Sequence, residues 1–280
     1  MSETGRTGFA PSGDVRIHYR AFGKPGKTPI VIVHGLSYFS YDWTGPAASL
    51  ATDREVVAID QRGFGESDWS STRKYDLRQQ AADIIAVLDH FGWKQAILVG
   101  HSMGGRICLC ATAWYPERVA ALVSLDFAPD LAPPGRRHVA EQIGRQPDLF
   151  TSVDEAIRYH KSDPADAAVR ERFLAFLKPV PGGFALKRDL HYRDQFRQVL
   201  ETGKSHQTGV DAWALLADIK VPTLVVRASN SELFAAETMD KVRSTNPRAE
   251  VAELEGGHDL AHDNPDALVA LVRQFLAKLA

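Results

Sequence analysis

Cysteine is scarce in this chain of 280 residues: only Cys108 and Cys110 occur, two apart on one expected helix. Side chains at that spacing point in different directions, so the pair cannot bridge and both are read as buried free thiols. Long apolar runs are missing too. No segment approaches the length of a membrane span, and Met1-Ser2-Glu3-Thr4-Gly5-Arg6-Thr7-Gly8 has no apolar core of the signal-peptide kind, so the expectation is a cytoplasmic protein without a membrane partner. Charge of one sign is equally absent. With 33 basic against 35 acidic residues, a net charge of -2 and no long basic run, the chain offers no field for nucleic acid. No repeat or low-complexity tract is visible. What is present is a 44% hydrophobic composition, enough for one large core or two modest domains.

Short β-branched runs alternate with longer helical patterns, the signature of parallel strands joined by crossover helices. Expected strands are Val15–Tyr19, Ile30–Val33, Glu55–Ile59, Ala96–Val99, Ala121–Leu125, Thr223–Val226 and Glu250–Leu254. Helices are expected over Asp76–Phe91, from Met103 onward and over Asp266–Leu279, each with an apolar stripe. The pattern breaks at Ala128-Pro129-Asp130-Leu131-Ala132-Pro133-Pro134-Gly135. From there to about Gly209 helical segments such as Val153–His160 and Ala167–Leu177 take over, with one hairpin near Pro181–Leu186. The reading is an α/β fold with a mostly parallel, doubly wound sheet built from 1–129 and 210–280, and a mostly helical lid over 130–209.

The most informative stretch is Gly100-His101-Ser102-Met103-Gly104-Gly105, placed directly after the apolar run Ala96–Val99. A strand that turns abruptly into a helix around a strained serine needs residues without bulk on either side, and Gly100 and Gly104 supply that room at Gly-x-Ser-x-Gly spacing. The bland alternative is a glycine-rich turn that happens to contain serine. His258 and His262, four apart, match the spacing of a zinc helix, but Asp259 stands where that motif needs Glu and Pro265 interrupts any helix, so no metal is expected.

Three further motifs follow the order of a known family. His34-Gly35 follows an early strand, with Trp43 beyond it. Asp60-Gln61-Arg62-Gly63-Phe64-Gly65-Glu66-Ser67 comes next, then the serine turn, then Gly256-Gly257-His258 followed by Asn264-Pro265. In this order the chain resembles the α/β-hydrolase superfamily over nearly its whole length except the lid. The resemblance implies Ser102 as nucleophile, His258 as base, and the backbone N–H groups of Leu36 and Met103 as oxyanion donors. His34 and His101 sit inside motifs and are read as shaping their loops, while His18, His90, His138, His160, His191, His206 and His262 carry no motif.

The acid departs from the commonest family pattern. Its usual place, after the strand Thr223–Val226, falls near Ser231, which cannot orient an imidazolium by charge; Glu232 is one residue along. Some family members carry the acid after the preceding strand, where Asp126 follows Leu125. Asp126 is therefore favoured over Glu232, the alternative being that Asp126 only caps the strand end. The implied activity is metal-free and cofactor-free hydrolysis of a small-molecule carboxylic ester or lactone through an acyl-enzyme. Amide hydrolysis, carbon-carbon bond hydrolysis, and a cofactor-free oxygenase or lyase reaction using the His-Asp pair remain open, as do a ligand receptor without turnover and a homo-oligomeric state. Tyr38, Phe39, Tyr41 and Trp43 read as packing before pocket wall. The lid carries 13 Lys or Arg against 12 Asp or Glu between Asp130 and Asp211, so its overall charge calls for no anionic substrate; Arg136, Arg137, Arg188 and Arg193 are its candidates for a local carboxylate clamp.

Overall fold

The computed structural model describes residues 5–204 and 208–279; His206 and the first four residues lie outside the described residues. The chain begins with two antiparallel strands, β1 (Arg6–Ser12) and β2 (Val15–Phe22), and enters the sheet interior at β3 (Lys27–Val33). A 3₁₀ turn over Ser40–Trp43 leads into α1 (Thr44–Leu50) and β4 (Arg54–Ile59). Then come α2 (Leu77–His90), β5 (Ala96–His101), α3 (Met103–Trp114) and β6 (Val119–Leu125). After a long helical passage, α8 (Ala212–Asp218), β9 (Thr223–Ala228), α9 (Thr238–Thr245), β10 (Ala249–Leu254), α10 (Leu260–Asp263) and α11 (Pro265–Ala277) complete the chain. The eight strands order as β1-β2-β4-β3-β5-β6-β9-β10, with β2 antiparallel to β1 and β4 and every pairing from β4 to β10 parallel.

Alternation along each strand splits the core into two layers. Val31 and Val33 face a cluster with Ile84, Val87 and Leu88 of α2 and Ile107 of α3, whereas Ile30 and Ile32 face one with Ala47 of α1 and Leu268, Val272 and Phe275 of α11. Both faces are covered, which is why the central strands read as unbroken apolar runs. All seven expected strands are present. The strand that escaped the sequence pattern is β1, because Gly8 and Pro11 interrupt its β-branched character; on an edge strand proline is tolerated, since no second neighbour needs its missing N–H.

Between β6 and α8 the described residues add no strand to this sheet. It forms α4 (Pro133–Gly144), α5 (Val153–Tyr159), α6 (Ala167–Phe176), the hairpin β7 (Leu177–Val180) and β8 (Gly183–Leu186), and α7 (Leu190–Thr202). Phe150, Val153, Ala156, Ile157, Phe173 and Leu177 give this segment its own apolar cluster. Main-chain hydrogen bonds stitch it to the Asp60–Ser67 turn: Gly65 N–H donates to Lys187 O and Asp189 N–H to Gly63 O, each at 2.7 Å. Phe39, Phe64, Tyr75, Phe176 and Tyr192 fill the joint, so the glycine-rich turn works here as a fastening for the helical segment.

Candidate active site

Ser102 stands between the end of β5 and the first residue of α3 with φ 53° and ψ -117°, a backbone conformation that side chains other than glycine rarely adopt. Its N–H donates to Leu125 O at 2.9 Å, tying the turn to β6. Close approach explains the flanking glycines: a Cβ at Gly104 would lie 2.2 Å from Val33 O, and one at Gly100 would lie 2.5 Å from Gly104 O. Strain of this kind costs on the order of 1–3 kcal/mol and persists only where the surroundings impose it.

The structure brings Ser102, His258 and Asp126 together from three separate loops. Ser102 Oγ–H donates to His258 Nε2 at 2.9 Å, and His258 Nδ1–H donates to Asp126 Oδ2 at 2.6 Å. Asp126 is 1% exposed, follows β6 directly and has φ 43°. Its carboxylate accepts three hydrogen bonds: His258, Ala228 N–H at 2.9 Å on Oδ1, and Ser231 Oγ–H at 2.6 Å on Oδ2. Glu232 lies elsewhere, exposed beside His138 Nδ1 at 3.1 Å.

Two other histidines hold the loops. His34 Nδ1–H donates to Gly35 O at 2.7 Å while its Nε2 accepts from Gln61 N–H at 3.0 Å, an arrangement that needs the neutral ring; burial pushes its pKa down accordingly. His101 Nε2–H donates to His258 O at 2.7 Å, with its pKa well below the ordinary histidine value because of burial first and the neighbouring His258 second. Each ring thus braces a loop as a neutral donor. His262 sits apart from the site, largely exposed and 3.6 Å from Asp263.

A cavity of about 990 Å³ opens above Ser102 and His258, and Leu36, Met103 and Tyr38 line it. Met103 is the first residue of α3, where helical amides have no partner within the helix. Of the four early aromatics only Tyr38 reaches the cavity; Phe39 and Trp43 are buried in the core and Tyr41 bonds Glu171 at 2.9 Å. Of the four arginines named from sequence, Arg137 pairs with Glu141 and Arg193 with Asp194, Arg136 lines the cavity, and Arg188 is buried against Ser37 and Gln146.

Three contributors were missed from sequence. Ser231, which lacks the charge to orient a histidine, donates instead to the Asp126 carboxylate. Arg172 of α6 reaches across to Asp42 at 2.6 Å and to Asp259 at 3.1 Å, beside His258. Arg106, four residues after Ser102, also lines the cavity; its position in the turn Ser102-Met103-Gly104-Gly105-Arg106 was the available signal.

The eight-stranded sheet and the serine turn between β5 and α3 have the architecture of a hydrolase fold. The chain belongs to the α/β-hydrolase fold family, whose model matches residues 28–265. It is similar to the 3-hydroxybutyrate-oligomer hydrolase of Cupriavidus necator, 29% identical over 98% of this chain and 99% of the relative, and to epoxide hydrolase 4 of Mus musculus, 36% identical over 94% of this chain and 76% of the relative. The crystal structure of E-2-(acetamidomethylene)succinate hydrolase shares the fold with a TM-score of 0.83 at 24% identity, covering 97% of this chain and 99% of that one.

Proposed function

We propose that the protein is a serine hydrolase of small carboxylic esters or lactones, in which Ser102, His258 and Asp126 act as nucleophile, base and orienting acid. The observation that carries this reading is the unbroken chain from Ser102 Oγ to His258 Nε2 and from His258 Nδ1 to Asp126 Oδ2. A serine hydroxyl is a weak nucleophile at neutral pH, so His258 takes its proton as Oγ attacks the carbonyl carbon. The negative charge that develops on the carbonyl oxygen is met by the amides of Leu36 and Met103, fixed in place before the reaction. Protonated His258 then gives its proton to the departing alkoxide. Water, deprotonated in turn by His258, attacks the acyl-enzyme, releases the acid and returns the proton to Ser102. The helical segment over 130–209 serves as the lid that closes the cavity around substrate. Support for hydrolysis of an acyl bond comes from the serine at the turn and from the relative in Cupriavidus necator named for an oligomer hydrolase.

A fluorophosphonate probe tests the reading directly. Covalent labelling should map to Ser102 and vanish in Ser102→Ala, which should also lose turnover on a panel of esters and lactones by on the order of 10³-fold or more. Absence of labelling, or a Ser102→Ala variant retaining a tenth of wild-type turnover, overturns nucleophilic catalysis by this serine.

A further inference from the structure

Arg106 is a charged group without a charged partner inside the cavity. It lies one helical turn after Ser102 on α3, its N–H donating to Ser102 O at 3.2 Å, and its half-buried side chain lines the same cavity as Ser102 and His258. Among the described residues its guanidinium makes no ion pair and no hydrogen bond to protein; the Phe127 ring lies 5.5 Å from the guanidinium carbon. The carboxylates along the cavity are committed elsewhere. Asp76 and Asp211 cap α2 and α8, Asp130 binds Lys241 at 2.7 Å, and Asp126 holds His258. Arg188, buried behind Ser37, likewise has only the neutral acceptors Ser37 and Gln146, and its field together with that of Arg172 adds to the burial that holds His160 at about 4. Arg106 therefore lines the cavity as a guanidinium to which none of these carboxylates is bonded. A guanidinium removed from water is costly unless an acceptor faces it, and burial already draws Arg106 below its ordinary pKa.

On these grounds we propose that the cavity takes an ester bearing a carboxylate, a half-ester of a short dicarboxylic acid, with Arg106 binding the free carboxylate while Ser102 attacks the ester carbonyl. The planar fork of arginine matches a carboxylate with two parallel N–H donors, and Arg106 stands one turn after Ser102 in the lining of the same cavity. Arg136, exposed at the cavity margin, adds charge of the same sign on the approach. This assignment rests on the proposed hydrolase reading for its turnover arm alone.

The test compares mono-4-nitrophenyl glutarate with 4-nitrophenyl valerate, which differ by a carboxylate in place of a terminal methyl. The wild-type enzyme should prefer the glutarate half-ester in kcat/KM. That preference ratio should fall about tenfold or more in Arg106→Gln and Arg106→Met, the loss expected for a charge-assisted hydrogen bond, and fall less in Arg106→Lys, which keeps the charge but not the fork. A second arm needs no turnover: in Ser102→Ala, monomethyl glutarate should bind more tightly than methyl valerate by titration calorimetry, and the difference should disappear in Ser102→Ala/Arg106→Gln. Equal preference in wild type and Arg106→Gln, or binding of monomethyl glutarate that does not depend on Arg106, overturns the carboxylate site while leaving the serine mechanism standing. Failure of fluorophosphonate labelling at Ser102 overturns that mechanism instead, and the calorimetric arm still decides the site.

Discussion

Ser231 Oγ–H donates to Asp126 Oδ2 at 2.6 Å, so a serine beyond the end of β9 and a carboxylate at the end of the adjacent β6 meet at one point. The same Ser231 oxygen accepts from the N–H groups of Leu233 at 3.2 Å and Phe234 at 3.0 Å, which fixes its hydroxyl toward Asp126. Neighbouring parallel strands end side by side, and their loops share the space beneath His258. An acid delivered from either strand end can therefore reach the same imidazole nitrogen.

Asp126→Asn should cripple turnover, because the amide removes both the tautomer control and the charge that stabilises protonated His258. The expected loss in kcat/KM is on the order of 10⁴-fold, as for the corresponding change in serine proteases. Glu232→Gln, a change at an exposed side chain bonded to His138, should cost little. The double variant Asp126→Asn/Ser231→Asp should regain part of the lost activity by supplying a carboxylate from β9. Ester kinetics on folded variants check all three, and greater damage from Glu232→Gln than from Asp126→Asn would reverse the assignment of the acid.

Arg172 clasps two carboxylates, Asp42 and Asp259, across the boundary between α6 and the sheet domain. Burial raises Asp42 to about 7, with Arg172 opposing that rise and Asp259 adding to it. Removing the cation in Arg172→Met raises both acids further. At pH 5 Asp42 is protonated with or without the cation, so the loss is small; at pH 8, above its value of about 7, the wild-type protein holds an ionised Asp42 against Arg172 and the variant loses that pairing. The destabilisation should grow with pH and reach about 2 kcal/mol at pH 8, below the range for a fully buried pair because Arg172 is a quarter exposed. Thermal melts at both pH values measure it, and an equal loss at pH 5 and pH 8 would contradict the arrangement.

His160 titrates with the opposite sense. Burial, then the charges of Arg188 and Arg172, lower it to about 4 from the ordinary histidine value of about 6.5, so the unfolded chain binds a proton there that the folded chain refuses. Its contribution is present above pH 6.5 and is lost as pH falls toward 4. Between pH 7 and pH 5 the expected loss is about 2 kcal/mol. His160→Gln should remove that part of the acid sensitivity, read as a flatter dependence of unfolding free energy on pH relative to wild type.

Arg62, with a fully buried side chain, donates to both oxygens of Asp83, Nε to Oδ2 at 2.6 Å and Nη2 to Oδ1 at 2.7 Å. Asp83→Asn leaves the guanidinium without its main counter-charge and should cost about 3 kcal/mol in urea unfolding. Arg62→Met/Asp83→Leu should cost less than the sum of the single changes, because it leaves no buried charge behind.

The order of strands and helices was legible in the sequence because both sheet faces are buried, which writes each parallel strand as an apolar run and each crossover helix as a stripe. Glycines at 100 and 104 marked the turn around Ser102 for a local reason, the close approach of backbone from within a few residues and from the end of β3. Ser102 and His258 were readable from such local patterns in their family order. The edge strand β1 was hidden, since its register is imposed by β2 and not by its own residues.

What the sequence alone could not decide is which groups from distant loops meet. Asp126 and Ser231 are 105 positions apart, and Arg172 and Asp259 are 87 apart; their contacts depend on strand neighbours and on how α6 lies over the sheet. The near-equal charge count between Asp130 and Asp211 likewise says nothing about Arg106, which lies on α3. Its place in the cavity becomes visible only when folding has bonded Asp76, Asp126, Asp130 and Asp211 to other groups and left the Arg106 guanidinium without an ion pair among the described residues. Composition counts charges, but pairing is a property of distance, and distance between remote segments is set by the tertiary packing.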